Sequence, residues 1–139
     1  MIFDQLDRLE AGQVDDLLRM YQEEWWSRMR RRSDVEKMLA HSDVVVAFCH
    51  SDSRKLAAFA RVLTDFVYKA LIFDVVTDPA LRGTGLGRTL MNAVVQHPSL
   101  AQVRHMELYC RPEMIPFYEK WGFTADLGDL HFMRRVARR

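Results

Sequence analysis

In the run Asp78-Pro79-Ala80-Leu81-Arg82-Gly83-Thr84-Gly85-Leu86-Gly87-Arg88, three glycines alternate across five positions. Backbone without side chains lets a ligand come close there. The glycines stand where a helix opens, and the first amides of a helix lack intrahelical acceptors. Together with the helix dipole they favour an anion such as a diphosphate, and Arg82 and Arg88 flank the place with full charges. The familiar nucleotide loops fail on spacing. No Lys follows the glycines as a phosphate-binding P-loop requires, and Arg88 stands where the third glycine of the dinucleotide fingerprint would fall. Just upstream, Asp74 interrupts a strand otherwise built of Ile, Phe and Val. A carboxylate there is costly to bury unless it is tied to a neighbouring Arg or amide, or does chemistry. Cys110 could in principle carry an acyl group with His105 or His131 as base, but inert cysteine is the commoner case.

The elements that must position these groups follow from periodicity. Residues 1–6 read as an edge strand. Val14, Leu17, Leu18, Tyr21 and Trp25 lie on one face of a helix, which would close Trp25 onto the core. Ser33 and Glu36 form a capping box opening a second helix that runs to about His41. From Val44 the pattern becomes β-branched and aromatic, turns at Ser51-Asp52-Ser53, and resumes from Leu56 as the return strand of a hairpin. Residues 70–77 (ALIFDVVT) are a nearly continuous apolar run, as in a central strand buried on both faces. The glycine segment and a helix marked by Leu86, Leu90, Ala93 and Val94 come next, ending near His97-Pro98. Residues 103–110 read as a strand parallel to 70–77, because a helix separates the two. A short helix over 116–120 stops at Gly122, and a final hairpin turns at Gly128. The fold class is a mixed α/β sheet in the order β-α-α-β-β-β-α-β-α-β-β, one domain over residues 1–139.

Composition narrows the function. Twenty Lys plus Arg against nineteen Asp plus Glu leave a net charge of +1, without the positive field of a general nucleic-acid binder. Two cysteines outside any metal-ligand spacing indicate neither a disulfide framework nor a metal site, and fit a reducing compartment. No segment reads as a signal peptide or a membrane span, so a cytoplasmic protein is expected.

Arg82-Gly83-Thr84-Gly85-Leu86-Gly87 resembles the R/Q-x-x-G-x-G/A loop of the GCN5-related N-acetyltransferases, here in the stricter form R-G-x-G-x-G. Downstream, Phe117-Tyr118-Glu119-Lys120-Trp121-Gly122-Phe123 is similar to the family's Y-E-x-x-G-F stretch. Two motifs in this order, with the matching element order, extend the resemblance over almost the whole chain. It implies that strands 70–77 and 103–110 splay apart to admit acetyl-CoA. The amides of Val75, Val76 and Thr77 would pair with its pantetheine arm, and those of residues 83–88 (Gly83, Thr84, Gly85, Leu86, Gly87, Arg88), with Arg82, would hold its pyrophosphate.

The implied chemistry is direct transfer of an acetyl group to a primary amine of a small molecule in a ternary complex. Such transfer needs a neutral amine, stabilisation of the oxyanion and a proton for the departing thiolate. Tyr118 matches the family's proton donor, and the amide of Val75 or Val76 would meet the oxyanion. The family fixes no single base; Asp74 is the first candidate, with Glu107 and Asp65 behind it, and ordered water is an alternative. The acceptor would enter by residues 21–34 and 65–69, where Glu24, Trp26 and Phe66 are the candidate contacts. The segment 108–118 has Arg111 where the family pattern places Asn. The resemblance also favours a homodimer. The other reading that the sequence supports is a CoA-binding regulatory module that keeps this fold without turnover.

Overall fold

In a computed structural model that describes residues 1–138, the elements are β1 (Phe3–Leu6), α1 (Ala11–Gln22), α2 (Arg32–Ala40), β2 (Val44–His50), β3 (Leu56–Thr64), β4 (Lys69–Thr77), α3 (Leu86–Val95), β5 (His105–Glu107) and α4 (Ile115–Glu119). Short 3-10 turns cover Pro79–Leu81, Pro98–Leu100 and Pro112–Met114. The chain divides into two compact units, Met1–Leu108 and the residues from Tyr109 onward.

In the first unit the five strands pair in chain order, β1-β2-β3-β4-β5, antiparallel until the last pair, which is parallel. Strand alternation sorts the side chains of β2 and β3 onto two faces. Val45, Ala47, Leu56 and Phe59, with Val76 of β4, join one core with Val14, Leu17, Met20 and Tyr21 of α1 and Val35 of α2. Leu86, Leu90, Met91 and Val94 of α3 are also buried.

Two expectations for the first two helices change. The helical stripe does not reach Trp25, because α1 ends at Gln22, where the amides of Glu23 and Glu24 turn back to the carbonyls of Met20 and Tyr21. The buried Ser27 hydroxyl then donates to the Tyr21 carbonyl at 2.9 Å, and Trp25 is 61% exposed. The Ser33–Glu36 box is not formed. α2 begins two residues earlier, at Arg32, whose Nε donates to Glu36 at 3.0 Å and whose Nη1 reaches Asp15 of α1. A reciprocal contact instead opens α1, where the Gln13 side chain accepts from the Glu10 amide at 2.9 Å.

β4 lies second from the sheet's edge rather than at its centre, and Lys69 and Leu71 are exposed while Ile72 and Val76 are buried. β5 is shorter than residues 103–110. It pairs through Lys69↔His105, Ala70↔Met106 and Leu71↔Glu107, and a Lys69–Glu107 ion pair at 2.9 Å spans the two strands.

In the second unit α4 carries an aromatic cluster. The Phe117 ring meets Tyr118 at 5.1 Å and Trp121 at 5.0 Å, and Tyr118 meets Phe123 at 6.3 Å. The final hairpin is absent among the described residues, since nothing after α4 forms a ladder. Stacking takes its place: Phe132 lies 4.7 Å from the Tyr109 ring, and the Arg134 guanidinium covers both rings.

Candidate functional site

β4 is paired with β5 only as far as Leu71, so from Ile72 to Thr77 its edge on that side carries no strand among the described residues. The two parallel strands therefore part, as the splayed pair expected from the sequence. On the other side, Phe59 opposes Val76 and Arg61 opposes Phe73, so Asp74 and Val75 together face the single Ala60. This bulge puts Asp74 at φ 58°, a left-handed conformation that Asp tolerates better than most residues.

The ladder settles which β4 amides are open. The Asp78 amide donates to Ala57 O at 2.8 Å, so alternation turns Val76 toward β3 and Thr77 toward the open edge. Of the amides expected to serve a ligand, that of Val76 is thus committed to the sheet.

Beyond Thr77 the Asp78 side chain accepts from the Ala80 amide at 3.0 Å and starts a single 3-10 turn. Gly83 and Gly85 adopt φ 80° and 85°, and a Cβ at either would meet nothing within 4 Å. The loop thus uses glycine for its backbone conformation as well as for open space. Thr84 turns inward, its amide and hydroxyl both donating to Leu81 O. The amides of Gly83, Gly85, Leu86, Gly87 and Arg88 make no hydrogen bond among the described residues; that of Thr89, to Gly85 O, is the first that α3 uses. Five open donors at a helix N-terminus suit a bound diphosphate. Arg82 lies beside them and reaches Glu24 of the α1–α2 connection at 3.5 Å. The expected acceptor segment and the glycine loop are therefore adjacent.

On the α1 face of the bulge the Asp74 carboxylate, 4% exposed, accepts from four donors. Arg30 Nη1 and Nη2 lie at 2.6 and 3.1 Å, Arg61 Nε at 2.7 Å and the Tyr21 hydroxyl at 3.0 Å. Burial pushes the Asp74 pKa up, but the hydrogen bonds and charges of Arg30 and Arg61 outweigh it and hold the carboxyl below its ordinary range. Burial, followed by the Asp74 charge, pushes the Tyr21 phenol far above its ordinary value, so it donates rather than ionises. The Arg30 guanidinium lies 4.8 Å from the Tyr21 ring and 5.3 Å from the Trp26 ring. A carboxylate held this way is a poor proton acceptor, and sequence reasoning missed the partners because Arg30 lies 44 positions away.

The other candidate acids are also engaged. Asp65 accepts from the amides of Val67, Tyr68 and Lys69, which lower its pKa and shape the turn that carries Phe66 at φ 63°. Glu107 pairs with Lys69. Phe66 is 43% exposed and Trp26 36%, so both present ring surface to solvent.

Tyr118 is buried in the second unit, and burial, with a smaller contribution from Cys110, pushes its pKa up to about 12. Burial and the Glu113 charge likewise raise the Cys110 thiol, so this cysteine is not an activated nucleophile. Among the described residues no cluster of His, Cys, Asp and Glu could hold a metal, and no helix is long and apolar enough to cross a membrane.

The acetyltransferase (GNAT) family model matches residues 11–123. The chain belongs to the GNAT acetyltransferases. It is 32% identical over 97 residues to GCN5-related N-acetyltransferase 1, chloroplastic, of Arabidopsis thaliana, covering 70% of this chain and 49% of that protein. It is 34% identical over 99 residues to serotonin N-acetyltransferase 2, chloroplastic, of Oryza sativa subsp. japonica, covering 70% and 50%. The chain thus spans about half the length of these curated relatives. A crystal structure of a Xanthomonas campestris pv. campestris protein assigned to the GNAT family superposes with a TM-score of 0.82 at 26% identity, covering 99% of this chain and 94% of that one. For this GNAT chain the mixed five-stranded sheet and four helices are the family's architecture.

Proposed function

We propose that the chain is an acetyl-CoA-dependent N-acetyltransferase that moves the acetyl group directly to a primary amine of a small molecule, both substrates being bound together. The observation that carries this reading is that the open β4 edge, Ile72 to Thr77, leads into five unpaired amides at the mouth of α3. An extended amide-bearing chain ending in a diphosphate, as in CoA, needs that sequence of surfaces. The open space at Gly83 and Gly85 supports the fit.

In this reading Thr77 offers its amide to the pantetheine arm, and Gly83, Gly85, Leu86, Gly87 and Arg88 offer theirs to the pyrophosphate beside Arg82. Val75 is the amide assigned to the developing oxyanion. Tyr118 Oη, which keeps its proton to about pH 12, supplies the proton that the departing sulfur needs. Asp74 acts as a positioning residue holding Arg30 and Arg61, and the amine proton leaves through water. Trp26, Phe66 and Glu24 line the acceptor side.

The test is thiol release from acetyl-CoA over a panel of primary amines, with the product identified by mass. Acetylated amine formed in step with released thiol is expected. Acetyl-CoA binding with no product on any amine would move the chain to the CoA-binding regulatory module.

A further inference from the structure

We infer that the acceptor amine also carries a carboxylate, and that Arg61 is the residue that receives it; this rests on the acetyltransferase reading above.

The first ground is a local excess of charge. Arg30 and Arg61 both form their ion pairs with the same Asp74 carboxylate, so two guanidiniums share one anion in a largely buried set. Neighbouring arginines have acids of their own: Arg31 pairs with Asp34, Arg32 with Asp15 and Glu36, and Arg82 with Glu24. At the bulge, two partly buried guanidiniums thus face a single carboxylate. An unbalanced charge in such a place is costly unless a ligand balances it.

The second ground is geometric. Arg61 spends only Nε on Asp74, and its two Nη nitrogens make no hydrogen bond among the described residues. No buried side-chain nitrogen lacks a partner there, so these Nη atoms reach solvent-accessible space. The guanidinium is held from two directions, by Asp74 at 2.7 Å through Nε and by the Phe73 ring 4.9 Å from Cζ. A planar fork fixed this way, with its end open, matches the two oxygens of a carboxylate. Its position fits the reaction as well. Arg61 pairs in register with Phe73, the last β4 residue before the bulge, on the stretch where β4 runs without a β5 partner.

The experiment compares kcat/KM for amino acids, their methyl esters and their decarboxylated counterparts, using the tyrosine and tryptophan series, in the wild type and in Arg61→Gln and Arg61→Lys. The free amino acid should exceed its ester and its decarboxylated amine by about tenfold or more, the scale of hydrogen bonds to a charged group. Arg61→Gln should bring that ratio toward one, and Arg61→Lys should restore part of it. Calorimetric titration with N-acetyltyrosine and its methyl ester reads the same preference without turnover. A wild-type enzyme that acetylates tyramine as well as or better than tyrosine would overturn the inference and leave the acetyltransferase reading standing. N-acetyltyrosine binding in preference to its ester, with no turnover on any amine, would keep the carboxylate site and sink the acetyltransferase reading. Should Arg61→Gln fail to fold, the wild-type ratio and the calorimetric preference decide the matter.

Discussion

Arg30 grips the Asp74 carboxylate through both terminal nitrogens, at 2.6 and 3.1 Å, joining the α1–α2 connection to the bulge of β4. Replacing Asp74 with Asn keeps the shape and suits the left-handed backbone, since Asn also tolerates positive φ. What is lost is the single negative charge that Arg30 and Arg61 share. Breaking a buried pair in this way costs about 3 kcal/mol of stability, read from the urea midpoint. In folded Asp74→Asn, acceptor KM should rise more than kcat falls. A folded variant with wild-type KM and a kcat lowered a thousandfold would make Asp74 the base after all.

Stability should fall in acid for the same reason. The Asp74 pKa is lowered in the folded chain, so its contribution is present above the unfolded carboxylate pKa of about 4 and is lost as pH falls through the folded value. The stability difference between wild type and Asp74→Asn should accordingly shrink below about pH 4. A difference that stays constant down to pH 2 contradicts the pairing.

At the glycine loop, Gly85→Glu introduces a negative charge in front of five open amides, in space that is empty of protein atoms within 4 Å of the new Cβ. The positive φ costs the fold about 1 kcal/mol. Affinity for acetyl-CoA should drop far more, by about a hundredfold, as charge repulsion is added to the lost approach. Unchanged affinity in a folded variant would remove the loop from cofactor binding.

Tyr118→Phe should lower kcat by about a hundredfold while changing acetyl-CoA affinity little, as expected for a general acid. Because burial pushes the Tyr118 pKa up to about 12, no descending limb from this group should cut kcat below pH 11. The same shift bears on stability. A raised tyrosine pKa contributes below the unfolded value of about 10, and that contribution is lost as pH climbs toward the folded value. Wild-type turnover in Tyr118→Phe would take the phenol out of the mechanism.

The glycine loop and the β2–β3 hairpin were legible in the sequence because short-range rules govern them: alternating glycines, a polar turn at residues 51–53 and a β-branched run. The splay of β4 and β5 was implied by the family resemblance, although the place where it begins, after Leu71, is a matter of pairing between strands distant in sequence. The end of α1 was misread because a Ser27 hydroxyl and two backward amides override the 3.6-residue repeat that runs on to Trp25. The Asp74 network was out of reach for another reason. An acid in an apolar strand signals a partner without saying which, and the two guanidiniums come from Arg30 and Arg61, on separate elements.

The most direct test of the central claim is calorimetric titration of the chain with acetyl-CoA and, separately, with NADH. Acetyl-CoA should bind at one site per chain with an affinity that Gly85→Glu lowers about a hundredfold, and NADH should give no saturable heat. Saturable binding of NADH, or no heat with acetyl-CoA, would mean that the open edge of β4 and the amides of α3 do not form an acyl-CoA site.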